Sequence, residues 1–346
     1  MVSVADFDRF VFVVGAPRCG TTTLAQFLKA NPAVAFPAVK EPHFFSQHDL
    51  RGLDERQLKE RVERDYLGRF FPHQPGRRVG VDASVTYLYM AEQLEPIMKL
   101  WPDSRFVVAL RNPMSMLPSL HQRLIYIGDE TIPSLADAWR AIPERAAGRR
   151  IPPRCADPRW LRYNEAGRFA TYLEQLFAAV GRERCHIVLF DDLQADPAGE
   201  YRRLMDFCSL EPVIGTDFAP RRISRGVRHV WLQRLLKRPP TVIRNYLAGE
   251  QFMVRVRDLD EDSESKSAKA VLSLRKRLLR WNRVPAKAEA MPAWLADEIR
   301  AYYAGEVAAL GRLIDRDLSA WLRGPGEAAS TKAGPATGAR RVASSR

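Results

Sequence analysis

Val11-Phe12-Val13-Val14-Gly15-Ala16-Pro17-Arg18-Cys19-Gly20-Thr21-Thr22-Thr23-Leu24 decides the fold of this 346-residue chain. Four apolar residues, two on each face, read as a buried strand. A glycine-bounded turn follows, and Thr21 to Ala30 read as a helix that Asn31-Pro32 stops. Strand, glycine loop and helix aim backbone N–H groups and a positive helix end at one anion. The spacing of Gly15, Gly20, Thr21 and Thr22 matches G-x-x-x-x-G-K-[ST], except that Thr21 occupies the lysine position and a cation stands inside the loop at Arg18. The loop is therefore expected to hold a phosphate, but not the β- and γ-phosphates of a magnesium nucleotide.

A second buried strand, Arg105-Phe106-Val107-Val108-Ala109-Leu110, runs directly into Arg111-Asn112-Pro113. In a nucleotide triphosphatase the comparable strand ends in a metal-binding Asp. Arg111 cannot hold magnesium and instead suits another phosphate. Two anion sites at the carboxyl ends of two strands suit a ligand with phosphates at both ends of a nucleoside, and no metal is required. Arg18 and the loop amides would serve one end, Arg111 and a hydroxyl such as Ser119 the other.

The remaining pattern alternates strands and helices. Val34-Ala35-Phe36 reads as a short strand, 53–70 as a charged amphipathic helix, and Gly80 to Ser84 as a strand end. Met90 to Leu100 reads as a helix, and 114–160 as a long irregular or helical piece. Helix 168–180, strand 185–190, helix 199–208 and a last helix over 292–313 complete the series, while 221–290 is basic and unassigned. This is the order of an α/β, P-loop-like three-layer fold, a central parallel sheet flanked by helices.

Composition sets limits. Apolar residues make up 46% and charged residues 27%, as in soluble globular proteins, and the formal net charge of +13 favours anionic partners. The basic residues are spread widely with no zinc-finger spacing, zipper or aromatic RNA-binding signature, so nucleic acid is not expected as a partner. The four cysteines are far apart and include no C-x-x-C pair, which indicates neither disulfides nor zinc. No apolar run approaches the ~18 residues of a membrane span, and the simplest expectation is a reduced, cytoplasmic protein. Arg234 to Pro240 is cationic with apolar neighbours; a solvated basic face and a peripheral membrane or polyanion contact both fit it.

The chain resembles the sulfotransferases that use 3′-phosphoadenosine 5′-phosphosulfate (PAPS). The likeness is carried by Gly15 to Thr22, Lys40-Glu41-Pro42-His43-Phe44-Phe45 and Leu110-Arg111-Asn112-Pro113 followed by Ser119. It continues through Val188 to Leu193, Asp196-Pro197 and Arg316-Asp317-Leu318-Ser319. The KEPHFF stretch is similar to that of the heparan-type and bacterial branch. The resemblance implies one sulfotransferase domain over 1–322, and the Gly/Ala/Ser/Thr/Pro composition of 323–346 reads as a disordered tail. It implies that Gly15, Ala16, Pro17, Arg18, Cys19, Gly20, Thr21, Thr22 and Thr23 hold the 5′-phosphosulfate, with Arg18 touching the bridging and sulfonate oxygens. Arg111 and Ser119 would grip the 3′-phosphate, and Glu41 would be the catalytic base, with His43 as its rival. The product would be adenosine 3′,5′-bisphosphate, and the acceptor a small molecule, glycan or lipid.

Three departures accompany the likeness. Asp82-Ala83 stands where heparan-type relatives carry Glu-Lys, leaving Asp82 to bind substrate or assist the base. No second arginine follows Arg111. The late glycine-rich phosphate loop is missing, and Arg221, Arg222, Arg225 and Arg228 occupy the equivalent region as stand-ins. A P-loop small-molecule kinase and a non-catalytic nucleotide- or glycan-binding module are the alternatives. The kinase leaves the absent lysine and Arg111 unexplained.

Overall fold

Alternating apolar runs become five parallel strands: β1 (Arg9–Gly15), β2 (Val34–Ala35), β3 (Val79–Asp82), β4 (Arg105–Leu110) and β5 (Cys185–Leu189), in the order β2-β3-β1-β4-β5. The computed structural model describes residues 2–218, 225–239, 266–285 and 291–323. Every residue of β1 after Arg9 is buried, as expected of a strand covered on both faces. Its registers set the site: Phe12 lies opposite Asp82 on β3, and Gly15 opposite Ala109 on β4. The carboxyl ends of β3, β1 and β4 thus form one rim.

Helix α1 (Thr21–Lys29) packs on β1 and, further along the chain, on α5 (Pro197–Cys208), which also contacts β5. On β1, Phe12 stacks on Phe106 with ring centres 5.4 Å apart and meets Phe45 and Tyr87 edge-on. Each such ring removed from water contributes about 1.5–3 kcal/mol. These contacts clamp the segments 43–47 and 85–89 onto β1. The second of these segments packs against α4 (Phe169–Val180), which in turn meets the final helix α8 (Ala293–Leu313).

Several expectations shift in detail. Residues 53–70 form α2 (Glu55–Val62), capped by Asp54, and then continue as a π-helical segment, Glu63–Leu67. The stretch 90–100 divides into a 3-10 turn, Ala91–Gln93, and a helix, Glu95–Leu100, because Pro96 fits only the first turn of a helix. The long piece after Arg111 begins with α3 (Pro113–Ile127), with Asn112 as its N-cap and Pro113 at its first position. Within the unassigned basic region lie β6 (Arg225–Val227), α6 (Val230–Lys237), α7 (Lys266–Trp281) and β7 (Arg283–Pro285). Strands β6 and β7 pair antiparallel. Residues 221 and 222 and the tail from 324 lie outside the described residues. All four cysteines are free thiols. Among the described residues no helix is long and apolar enough to cross a membrane.

Candidate active site

The loop after β1 is shaped by two glycines. Gly15 has φ +133°, and a Cβ there would lie 2.6 Å from the backbone nitrogen of Ala109, so only glycine allows β4 this close. Gly20, at φ +92°, caps α1, and a Cβ on it would meet Leu193 at 2.9 Å and Phe190 at 3.1 Å. Arg18 between them also adopts positive φ, 71°, which turns the loop over the helix end. The N–H groups of Thr23 and Leu24 both return to the Gly20 carbonyl. The first-turn amides ahead of them have no acceptor within the helix, and the helix dipole points at the same spot. Ala16, Cys19 and Thr21 are buried, and burial pushes the Cys19 thiol well above its ordinary range. Cys19 is a packing residue of the loop. Pro17, Thr22 and Thr23 are half-buried, and Thr23 opens onto a cavity of about 400 Å³ walled by Phe27, Val213 and Thr216.

Arg111 leaves the end of β4 and bridges to this loop. Its Nη1 donates to the Arg18 carbonyl at 3.1 Å, its Nε donates to Ser115 Oγ at 2.9 Å, and the guanidinium lies over the Phe190 ring, 4.4 Å from its centre. Arg18 Nε donates to Ser119 Oγ at 2.9 Å. Ser115 and Ser119 are one helical turn apart on α3, so both hydroxyls face the loop. The sequence groups Arg111 with Ser119; in this structure Ser115 is the hydroxyl on Arg111, and Ser119 holds Arg18. No carboxylate among the described residues forms an ion pair with Arg111. Burial lowers its pKa from the ordinary arginine value, against the opposing charge of Asp191.

The KEPHFF segment, which follows β2, reaches the same rim beside the end of β3. Glu41 is 31% exposed. Its Oε1 lies 2.5 Å from Lys40 Nζ and its Oε2 lies 3.5 Å from His43 Nε2. Burial works to raise the Glu41 pKa, but the bond to His43 and the Lys40 charge outweigh it and bring the carboxyl down to about 2. His43 sits at φ 56°, its backbone N–H donating to Ser84 Oγ at 2.8 Å and its Nδ1 lying 2.9 Å from Thr86 Oγ1. Phe44 and Phe45 are core residues beneath it.

Asp82 requires a correction. It is 0% exposed, its Oδ2 accepts from Tyr66 and Tyr87 at 2.9 Å each, and its Oδ1 accepts from the Ser84 N–H and hydroxyl. A carboxylate enclosed in this way cannot touch an acceptor or take its proton. It fixes Ser84, and through Ser84 the backbone of His43, while burial raises its pKa. Of the late basic residues, Arg228 is exposed over the Trp281 ring at 5.6 Å, on the outer surface of α7. Arg225 opens β6, opposite Pro285 on β7. Lys40, Ser84, Thr86, Ser115 and Phe190 are the site residues that motif reading left without a role, although Lys40, Ser84 and Phe190 lie inside quoted stretches.

Residues 11–213 match the Sulfotransferase family, more than half of the chain. Heparan sulfate glucosamine 3-O-sulfotransferase 3B1 of Mus musculus is 26% identical over 202 residues, 58% of this chain and 46% of that protein. Heparan sulfate glucosamine 3-O-sulfotransferase 6 of Homo sapiens is 25% identical over the same length, 52% of that protein. The chain thus spans about half the length of the curated relatives it matches. A sulfotransferase crystal structure from Alicyclobacillus acidocaldarius superposes with a TM-score of 0.58 at 24% identity, covering 90% of this chain and 98% of that one, which is a likeness of fold.

Proposed function

The chain belongs to the sulfotransferase family, and on that premise we propose that it moves a sulfuryl group from PAPS to a hydroxyl, or less readily an amine, of a carbohydrate, lipid or secondary metabolite. The observation that carries this reading is the Arg111–Arg18 link. It joins the Arg111 guanidinium at the end of β4 to the backbone of the Arg18 loop that follows β1, at adjacent strand ends. In this reading Arg18 and the amides of 19–22 hold the 5′-phosphosulfate, and Arg111 with Ser119 takes the 3′-phosphate. The cavity beside Thr23 has room for the adenine, with Phe27 as an apolar wall.

Glu41 is the proposed general base, on the same rim. The acceptor oxygen attacks sulfur as the sulfur–oxygen bond to the 5′-phosphate breaks. The acceptor proton passes to Glu41, and the charge released onto the phosphate is met by Arg18 and the loop amides. Lys40 and His43 hold the carboxylate ionised and aimed. Transfer of labelled sulfate from PAPS to a panel of acceptors tests this. Wild type is expected to label at least one class, and Glu41→Gln to lose about 10²-fold or more while still binding adenosine 3′,5′-bisphosphate. Magnesium-dependent consumption of ATP with no use of PAPS would overturn the proposal.

A further inference from the structure

The excess positive charge of this chain is concentrated away from the loop and Arg111. Segments 225–239 and 266–285 together hold 12 Lys and Arg and no Asp or Glu, whereas everywhere else 42 Lys and Arg face 41 Asp and Glu. The two segments form one unit. The Asn282 side chain bonds to the backbone of His229 at both N–H and carbonyl, and Arg275 Nε donates to the Leu236 carbonyl at 2.9 Å. The unit is fixed to the far end of α3, where Gln233 donates to the Tyr126 carbonyl and Arg238 pairs with Asp129 at 2.7 Å. On α3, Ser115 and Ser119 precede Tyr126 by three turns and two, so this anchor lies roughly 10–17 Å along the helix axis from the proposed active site.

Large apolar side chains stand out among these cations. Trp231 is 66% exposed, Leu274 57% and Trp281 52%. His229 stacks on Trp281 with centres 5.7 Å apart and lies 6.3 Å from Trp231, so the two indoles border one aromatic ridge. Leu274 and Trp281 are two turns apart on α7 and share a face. Exposed Arg277 and Arg280 flank them. Around Lys237 the cations crowd enough that burial, with Arg275, Arg123, Arg283 and Arg238, pushes its pKa down to about 8.

We propose that this ridge is a docking surface for an anionic phospholipid bilayer, with Trp231, Leu274 and Trp281 entering the headgroup region and the surrounding arginines and lysines meeting lipid phosphates. A soluble polyanion would satisfy the cations but leave the exposed leucine and indole edges in water. A bilayer interface satisfies both, since indoles favour that depth and basic side chains extend toward the phosphates.

The test is co-sedimentation of the full chain with vesicles of equal parts phosphatidylglycerol and phosphatidylcholine, against vesicles of phosphatidylcholine alone. Wild type is expected to bind the anionic vesicles and not the neutral ones. The double substitution Arg277→Gln, Arg280→Gln should lower partitioning about twentyfold, and Trp231→Ala, Trp281→Ala about tenfold. All four positions are exposed, and unchanged melting temperatures would verify that the variants fold. In wild type, brominated acyl chains should quench tryptophan emission. Absence of vesicle binding, equal binding to neutral vesicles, unaltered binding by the tryptophan variant, or no quenching would each overturn the proposal. Capture by soluble heparin with no vesicle binding would reassign the surface to a polyanion.

Discussion

The guanidinium of Arg111, at the end of β4, donates to the backbone carbonyl of Arg18, 3.1 Å away in the loop that follows β1. This bond ties the cation of one strand end to the loop conformation of its neighbour. The two are therefore expected to respond as one unit, a change at either reaching the other through the loop.

Gly15→Ala tests whether the loop depends on close approach of β4. The new methyl would need positive φ and would sit 2.6 Å from the Ala109 nitrogen, a backbone atom that cannot swing aside. We expect a loss of about 3 kcal/mol or more, read as a fall of several degrees in Tm. An unchanged Tm would contradict the geometry.

The carboxyl of Glu41 is held at about 2 by His43 and Lys40 against the opposing effect of burial. A depressed carboxylate pKa adds stability that is present above its unfolded value, near 4.5, and is lost as pH falls toward 2. For catalysis, the pH profile of kcat/KM should show no acid limb between pH 5 and 8. A limb near the ordinary imidazole value of about 6.5 would assign proton removal to a histidine instead. Lys40→Met should raise the Glu41 pKa, and its profile should begin to fall at a higher pH than that of wild type.

Asp82→Asn removes an acceptor from four donors that have no other place to point. An amide presents one oxygen and two N–H groups, so donors from Tyr66, Tyr87 or Ser84 must lose their partner. Denaturant unfolding should show a loss of about 2 kcal/mol. Transfer activity should fall as well, since Ser84 holds the His43 backbone. Full activity and stability would show that the buried carboxylate is dispensable.

Much of this arrangement was legible in the sequence because its signals are local. The apolar runs at 11–14 and 105–110 are bounded by residues that can only be turns or helix starts, so β1, β4 and α1 follow from pattern alone. Helix α3 was obscured by Pro113 and Pro118, although a proline at the first helical position costs nothing. The burial of Asp82 was invisible because its partners Tyr66 and Tyr87 come from separate segments that meet it only once the chain has folded. The partner swap between Ser115 and Ser119 has the same origin. Spacing places both hydroxyls on one helix face, but which arginine each holds depends on the loop turn at Arg18, set by a positive φ that a non-glycine residue does not announce. The late basic region, rich in cations with no glycine-rich motif, gave no pattern from which its pairing of β6 with β7 could be read.

The central claim is that Arg18 and Arg111 together hold the two phosphates of one nucleoside. Its most direct measurement is the shift in Tm on adding adenosine 3′,5′-bisphosphate without magnesium, compared between wild type and Arg111→Ala. Wild type should be stabilised, and Arg111→Ala should bind about 10- to 100-fold more weakly, as expected when charge-assisted hydrogen bonds to a phosphate are removed. No stabilisation of wild type, or equal stabilisation of the two proteins, would contradict it.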